Sequence, residues 1–394
     1  MHQLYTDKYF RKTYNVVAQR PKVIATYGVF LRHQAVCAVE PALEFLRENA
    51  PNSKIFRHYV EGEMVAPETP IFSYQGLMDE LVELETQLLQ RVGFACLSAF
   101  NAYMMVSVYP TVPFLDMAAR HCAPDSGDEG MIKSCAYGAS VGSKAAMLDT
   151  GARGFIGSSL DLTAPFYGAA SGLGTMPHAL IGMYPTTLDA LEDFVKYNPD
   201  DKVIVALVDF FGTEYNDARH CANWFKTHGG ERTLGVRLDT HGGRFAEGLD
   251  YEKSISIVSE WLNIRGKWPI VSSVMGEHAF DLANDAIRDQ VAKILFGTGV
   301  SAASIIQMRR VLDTAGYRDV QIVASSGFDV RKCRVMNAAN APIDMIGTGS
   351  FLPATLNETY ATADIYGYNG EFRVKVGREE IFREVAEQTL GRKS

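Results

Sequence analysis

Several kinds of segment are scarce in this chain of 394 residues. The six cysteines are scattered and form no C-x-x-C pair, which argues against a zinc site and favours reduced, buried thiols. No run of about 18 apolar residues is present, since Pro110 and Pro113 interrupt residues 104–115, so no membrane partner is expected. Residues 1–7 are polar and lack the apolar core of a signal peptide. We therefore expect a cytoplasmic protein.

Positive charge is also in short supply. Lys and Arg total 38 against 46 for Asp and Glu, which gives a net charge of −8 and a pI near 5.7. A protein that binds nucleic acid non-specifically needs a basic surface, so a nucleic-acid partner is not expected. A few arginines and loop amides can still bind a small anion.

What the chain does contain is enough apolar sequence, 47% of residues, for two domains. From about residue 150, apolar runs typical of buried parallel strands alternate with helical patterns, which indicates an α/β fold. The predicted strands are 23–31, 203–208, 234–238, 320–324 and 343–346, and the predicted helices are 41–49, 79–92, 214–225 and 254–264. Residues 363–375 read as a hairpin with Asn369-Gly370 at its turn, which predicts that the C-terminus returns to the N-terminal domain.

Two consecutive strand-to-helix turns are built from small residues. The first is residues 324–327, followed by Asp329 at a helix start, and the second is residues 346–350. Backbone N–H groups at such turns suit a phosphate, and barrels often place their phosphate site in the last two loops. The alternative is a pair of tight turns that use glycine only for its backbone freedom. The predicted phosphate-binding residues are Ser325, Ser326, Gly327, Gly347, Thr348 and Gly349.

Two aspartates, Asp209 and Asp239, follow predicted strands. Carboxylates there suit ribose hydroxyls, a Mg²⁺-bound diphosphate or a developing positive charge, and the alternative is helix N-capping. Arg237 alternates with Asp239 along the strand, so we expect the two to share a ligand. A further titratable group, His178, stands just beyond the glycine turn of Gly174-Thr175-Met176-Pro177-His178; its alternative is a structural histidine.

Taken in order, four segments resemble the motifs of the nicotinate phosphoribosyltransferase family. Residues 174–178 match GT-x-x-H, residues 237–240 match R-x-D-[ST], residues 325–329 approach SGG-x-D, and residues 347–350 match G-[VT]-G-[TS]. The resemblance implies an irregular α/β barrel over residues 111–355. It also implies a smaller α+β domain formed by residues 1–110 with 356–394 and its C-terminal hairpin.

The resemblance implies the joining of nicotinate to phosphoribosyl diphosphate in NAD biosynthesis, with ATP assistance. The products are nicotinate mononucleotide and diphosphate, and Mg²⁺ accompanies phosphoribosyl diphosphate. His178, Asp209 and Asp239 are then catalytic, with His178 transiently phosphorylated where ATP is coupled, and Thr175 and Arg237 bind substrate. No metal ion held by the protein alone is expected.

Three further residues follow from weaker matches. Arg120 aligns with the first arginine of D-F-G-x-R-R and would grip the substrate anion, although Met117, Ala118 and His121 depart from that pattern. Asp161 would lie near the pyridine substituent, where an ionised carboxylate favours nicotinamide. Tyr9 of a T-D-x-Y segment would be donated by a neighbouring subunit, which implies a homodimer or dimer-based hexamer.

Alternatives remain open at this stage. They are a nicotinamide phosphoribosyltransferase, a phosphate-binding barrel lyase and a non-catalytic paralogue. A lyase predicts a Schiff-base lysine at a strand end, and none is found at the ends that the pattern places. Residues 121–153 and 250–296 look inserted relative to the family and would form a lid or an interface.

Overall fold

The structure is a computed structural model that describes residues 5–122, 130–276, 285–354 and 361–391. The chain folds into two compact units. The first unit comprises Met1–Met104, Ala118–Asp149 and Leu352–Ser394, and the second comprises Met105–Met117 and Thr150–Phe351. Residues 118–149 therefore group with the first unit, whereas the sequence assigned them to the barrel.

The bounds of the regular elements in the described residues are as follows. The strands are β1 (Ile24–Leu31), β2 (Ala35–Val36), β3 (Lys54–Arg57), β4 (Met64–Val65), β5 (Pro70–Leu77), β6 (Phe114–Asp116), β7 (Phe155–Ser158), β8 (Val203–Leu207), β9 (Thr233–Leu238), β10 (Gln321–Ala324), β11 (Met345–Thr348), β12 (Ala361–Tyr368) and β13 (Glu371–Phe372). The helices are α1 (Lys8–Val17), α2 (Glu40–Asn49), α3 (Met78–Leu81), α4 (Glu85–Val108), α5 (Gly130–Thr150), α6 (His178–Ile181), α7 (Thr187–Tyr197), α8 (Glu214–His228), α9 (Tyr251–Leu262), α10 (Lys267–Met275), α11 (Asp285–Phe296), α12 (Ala302–Thr314), α13 (Val330–Ala338) and α14 (Glu379–Leu390).

The first unit is built on an antiparallel sheet in the order β13-β12-β1-β5-β3. Seven of the eight residues of β1 are buried, because β5 and β12 flank the strand and helices supply apolar side chains. The predicted C-terminal hairpin is present, with Asn369 (φ 52°) and Gly370 (φ 83°) at its turn. Since β12 pairs with β1, the C-terminal segment does return to the N-terminal domain.

Helix α4 is longer than the sequence predicted. The pattern placed a helix over residues 79–92, whereas the structure has the short α3, a break, and then α4 as far as Val108. Beyond Val92 the helix is apolar on most sides, so no amphipathic period marks its continuation. By length and composition α4 is also a candidate membrane span, but 56% of its most apolar window is buried in the protein. Such burial is typical of a core helix.

The second unit contains a parallel sheet in the order β7-β6-β11-β10-β9-β8. Between the two outer strands runs an irregular segment. The Leu173 N–H donates to the Ser158 carbonyl at the end of β7 (2.8 Å), and the Met176 N–H lies 3.5 Å from the Val205 carbonyl of β8. A curled sheet whose gap is spanned by irregular chain is the irregular α/β barrel that the sequence predicted, and the α+β companion is also confirmed.

Candidate functional site

The carboxyl ends of the parallel strands gather the predicted chemical groups of the second unit at one edge of the sheet. Strands β9, β10 and β11 are neighbours in parallel register, with Val323 opposite both Arg237 and Met345. The two predicted phosphate turns therefore lie side by side, as the sequence suggested. This edge is where parallel α/β sheets bind ligands.

Arg237 is the centre of a hydrogen-bonded cluster at this edge. Its guanidinium donates through Nε to Ser325 Oγ (2.9 Å), through Nη1 to Thr175 Oγ1 (2.9 Å) and through Nη2 to Asp239 Oδ2 (2.7 Å). Arg237 is 8% exposed, so its guanidinium is held by hydrogen bonds to protein groups and has little contact with solvent. Four residues that the sequence assigned to binding or catalysis are thereby brought together.

His178 and Asp209 form a second pair. The Nε2 atom of His178 lies 3.2 Å from each carboxylate oxygen of Asp209. The imidazole is half-exposed, whereas the Asp209 side chain is buried. Burial raises the pKa of Asp209 above its ordinary value, the nearby carboxylate of Asp239 raises it further, and hydrogen bonding and charge at His178 act in the opposite direction. Asp209 is not the N-cap of α8, because that position belongs to Thr213.

Sequence reasoning missed Arg244 and Glu214, which hold the main chain of Asp209 in place. Arg244 donates through Nη2 to the Asp209 carbonyl (2.7 Å) and forms an ion pair with Glu214 Oε1 (2.7 Å). Glu214 is completely buried and also accepts from Thr240 Oγ1 (2.9 Å) and from the Glu247 N–H (3.0 Å). The motif residue Thr240 is thus tied to the start of α8. An ion pair of this kind is costly to break, because a lone buried charge remains.

The first phosphate turn has an unusual backbone. Ser326 and Gly327 are both left-handed, with φ of 76° and 66°, and Asp329 caps α13 by accepting from the Lys332 N–H (2.7 Å). The Ser325 side chain faces Arg237 and not solvent. Consecutive N–H groups in such a turn can converge on one anion.

In the second phosphate turn, a Cβ on Gly347 would lie 2.9 Å from Sδ and Cε of Met117, so a larger residue there would have to displace the end of that flexible side chain. Met117, which departs from the D-F-G-x-R-R pattern, therefore packs on this turn. The Thr348 hydroxyl donates inward to the Phe328 carbonyl (3.1 Å), which joins the two turns. Only main-chain groups of Thr348 remain to serve a phosphate; Gly349 directly follows β11.

Lys332 is a further residue that the sequence did not single out. Its ammonium donates to the Ser326 carbonyl (2.7 Å) and lies 4.5 Å from the centroid of the Phe328 ring. Burial lowers the pKa of Lys332 to about 8. The sequence shows a lysine three residues after the capping Asp329. Only the folded chain shows that this side chain bends back over the loop.

The remaining predicted residues are Asp161, Arg120 and Tyr9. Asp161 is exposed and accepts from the Gly172 N–H (2.8 Å), as an aspartate in a turn does. Arg120 belongs to the first unit, in a 3₁₀ turn over Ala119–His121, where its Nε lies 3.4 Å from His121 Nε2. Tyr9 also belongs to the first unit, on α1, and is 60% exposed. The substrate-binding roles of these three residues remain predictions.

Metal binding by protein groups alone is not evident in the part of the chain that the structure describes, where no group of three or more His, Cys, Asp or Glu side chains is arranged to hold an ion. The donor chemistry nevertheless fits a Mg²⁺ that arrives with a diphosphate. Among the described residues Asp239 accepts the Arg237 hydrogen bond through Oδ2, which leaves Oδ1 as a hard oxygen donor at the edge of the sheet.

Comparison with known proteins supports the family resemblance. No family model matches the chain. The sequence is 25% identical over 339 residues to nicotinate phosphoribosyltransferase pncB2 of Mycobacterium tuberculosis, in two strains. The match covers 82% of this chain and 56% of the relative, so the chain spans little more than half the length of the curated proteins it matches. The resemblance that the motifs indicated is thus confirmed at the level of sequence.

Solved structures share the fold. The nicotinate-nucleotide pyrophosphorylase of Pyrococcus furiosus superposes with a TM-score of 0.67 at 20% identity, over 95% of this chain and 78% of that one. Human nicotinic acid phosphoribosyltransferase gives 0.55 at 16% identity, over 95% and 76%. NadC of Streptococcus pyogenes gives 0.54 at 11% identity, over 91% and 92%. At these identities the likeness establishes architecture alone.

Proposed function

We propose that this protein is a phosphoribosyltransferase that joins nicotinate to phosphoribosyl diphosphate. The observation that carries the proposal is the Arg237 cluster at the carboxyl edge of the barrel sheet, next to the His178–Asp209 pair and two adjacent phosphate turns. The similarity to nicotinate phosphoribosyltransferase pncB2 supports nicotinate as the acceptor. The reaction yields nicotinate mononucleotide and diphosphate, as a step of NAD biosynthesis.

The geometry divides the work between the two acidic groups and the turns. The pyridine nitrogen bonds to C1 of the ribose, and the C1–O bond to diphosphate breaks with its electron pair leaving on the diphosphate oxygen. Positive charge develops on the ribose, and the preorganised carboxylates of Asp239 and Asp209 stabilise it. The first turn binds the 5′-phosphate through main-chain N–H groups. Arg237 orients Asp239 and adds positive charge for the anionic substrates.

Mg²⁺ would be held by Asp239 Oδ1 and the diphosphate oxygens, and it supplies neutralisation of the leaving group's charge. Asp209 accepts from the Nε2–H of His178, which leaves the lone pair of the exposed imidazole on Nδ1. In an ATP-assisted reaction that nitrogen would bond to the γ-phosphorus of ATP, while the bond from this phosphorus to the bridging oxygen breaks and ADP leaves with the electron pair. The ATP requirement, the Tyr9-sharing homodimer or dimer-based hexamer and the cytoplasmic location form part of this proposal.

The test measures diphosphate release from phosphoribosyl diphosphate and Mg²⁺ with nicotinate, nicotinamide or quinolinate, each with and without ATP. We expect turnover with nicotinate, faster with ATP, and ³²P incorporation from γ-labelled ATP that His178→Asn abolishes. Asp239→Asn should lower kcat/KM by about 100-fold or more, because a preorganised charge is lost. Exposed Asp313 offers a matched control as Asp313→Asn. Full activity in Asp239→Asn, or silence with every acceptor in folded protein, would contradict the proposal.

Nicotinamide remains a second candidate only through Asp161. Its exposed carboxylate accepts from a main-chain N–H and has no cation partner in the contacts of the described residues. If turnover occurs with nicotinamide alone, the acceptor assignment is wrong while the reaction class stands.

A further inference from the structure

The loop between β10 and α13 is contacted by the ammonium of Lys332, a cation that has no role in the proposed reaction. Lys332 is the third residue of α13, and its own N–H is capped by Asp329 Oδ1 at 2.7 Å. From there the side chain turns back along the loop until Nζ reaches the Ser326 carbonyl at 2.7 Å. The ammonium also lies over the face of Phe328, 4.5 Å from the ring centroid. The side chain of this one lysine thus contacts two residues of the loop, Ser326 and Phe328, from the first turn of α13.

Ser326, whose carbonyl accepts from Lys332, has a strained backbone. Ser326 has a φ of 76°, a conformation that glycine adopts freely and serine only against steric repulsion of its Cβ. The resembled family motif has glycine at this position. A charge-assisted hydrogen bond from the ammonium to the Ser326 carbonyl is strong and favours this backbone orientation. Lys332 therefore offsets a strain that the serine introduces.

The same contact decides which polar groups the loop presents. With the Ser326 carbonyl occupied by the ammonium, the left-handed pair of Ser326 and Gly327 can offer its N–H groups to an anion. The Lys332 ammonium has three N–H donors, and within the described residues the Ser326 carbonyl is its hydrogen-bond acceptor. Two donors and a full positive charge remain at the phosphate turn.

The titratable groups that act electrostatically on the ammonium are the thiol of Cys333 and the carboxylates of Asp329 and Asp239. Burial lowers the pKa of Lys332 to about 8 against the opposing effect of these three groups. The Cys333 thiol stays protonated in the same range, because burial raises its pKa far above the ordinary value. A bound phosphate dianion would favour the ammonium, so binding and protonation of Lys332 should be linked.

We propose that Lys332 is a positioning residue of the phosphate turn, whose ammonium holds Ser326 and Gly327 in their anion-binding conformation and supplies the turn's positive charge. The inference rests on the proposed function, since it takes the turn to be the site of the 5′-phosphate. It predicts that affinity for a phosphate falls as Lys332 loses its proton above pH 8. A side chain that merely packed the helix would give no such pH dependence.

The experiment titrates the full-length protein with inorganic phosphate and with ribose 5-phosphate by calorimetry between pH 7.5 and pH 9.5. Wild-type affinity should fall about 10-fold over this range, because the charged form binds and its population collapses above the pKa. Lys332→Met should bind about 10-fold more weakly at pH 7.5 and lose the pH dependence. Lys332→Arg should keep its affinity to pH 9.5, since guanidinium stays protonated. Exposed Arg331 on the same helix turn provides the matched control, and Arg331→Met should behave as wild type.

A second comparison separates loop conformation from overall folding. In a Ser326→Gly background the strain is absent, so Lys332→Met should weaken phosphate binding less than it does beside serine. Equal losses in both backgrounds would overturn the positioning role, and a pH dependence that persists in Lys332→Met would overturn the charge role. If folded wild-type protein binds neither phosphate nor ribose 5-phosphate, the phosphate site and the proposed function fail together. If wild type binds and Lys332→Met binds equally well, only the present inference fails.

Discussion

At the scale of single residues, the carboxyl group of Glu85 has a pKa that folding shifts. Glu85 begins α4, is partly buried, and lies close to the carboxylates of Asp364 and Asp7. Burial, with a smaller contribution in the same direction from the two aspartates, raises the pKa of Glu85 to about 7. The folded protein therefore takes up a proton at Glu85 that the unfolded chain would release near pH 4.5.

The shifted pKa of Glu85 makes the stability of the folded protein depend on pH. Because the folded-state pKa exceeds the unfolded one, the stability associated with protonated Glu85 is complete below about pH 4.5 and is lost as the pH rises through 7. We expect Glu85→Gln to raise Tm at pH 8 and to have little effect at pH 5, measured by calorimetric unfolding. Exposed Glu80→Gln is the control and should show no pH-dependent difference. An equal change in Tm at both pH values would contradict the prediction.

The same scale shows what the sequence could and could not reveal about the site. The neighbourhood of Arg237 and Asp239 was predictable from their alternation along the chain, and the structure joins the two by a hydrogen bond, whereas His178 pairs with Asp209. The binding and catalytic roles of these residues stay predictions. Lys332 and Arg244 were not predictable, because their importance arises from side chains that reach across loops to carbonyl groups. The periodicity of apolar residues predicts which face of a helix or strand is buried. It carries no information about a side chain that reaches back to a loop carbonyl group.

At the scale of elements, the packing of α4 against α5 depends on two missing side chains. Gly138 and Gly142 stand four residues apart on one face of α5, and a Cβ at either position would overlap the carbonyl group of Ala95 or Ala99 on α4. The helices therefore meet main chain to main chain. The sequence predicted neither the full length of α4 nor this contact, because an all-round apolar helix lacks a periodic signature.

The close approach predicts the effect of adding a methyl group. Gly142→Ala improves intrinsic helix propensity by about 1 kcal/mol, but the new Cβ collides with rigid backbone at a cost of ~3 kcal/mol. We therefore expect a net loss of about 2 kcal/mol in the free energy of unfolding, measured in urea. Gly174→Ala is a suitable control for stability, since a Cβ there meets no atom within 4 Å. Stabilisation by Gly142→Ala would show that the helices are free to separate.

At the scale of the whole molecule, the first unit is discontinuous in sequence. It takes its residues from three segments, and the second unit lies between them in the chain. The central strand β1 pairs on one side with β5 and on the other with β12, where Leu31 lies opposite Ala361. The sequence predicted this return from the Asn369-Gly370 turn, whereas the assignment of residues 118–149 depended on tertiary packing that no local pattern encodes.

Removing the last segment should therefore disable the first unit. A chain that ends after Phe351 lacks β12 and the buried Tyr366 and Phe382, so the edge of β1 and its apolar face lose their cover. We expect strong binding of a hydrophobic dye and aggregation on size-exclusion chromatography. A chain that ends after Gly391 keeps α14 and should behave as the full-length protein. A monodisperse, dye-free shorter chain would refute this expectation.

The pairing of β1 with β12 also has a consequence for biosynthesis. On a ribosome that adds about 5–20 residues per second, β1 emerges tens of seconds before the strand that completes its sheet. Throughout that interval the nascent chain displays an apolar strand with one open edge, and the second unit gains its last strand, β11, before β12 is made. The first unit to be translated is consequently the last to be finished, and nascent-chain chaperones would find their binding site on β1.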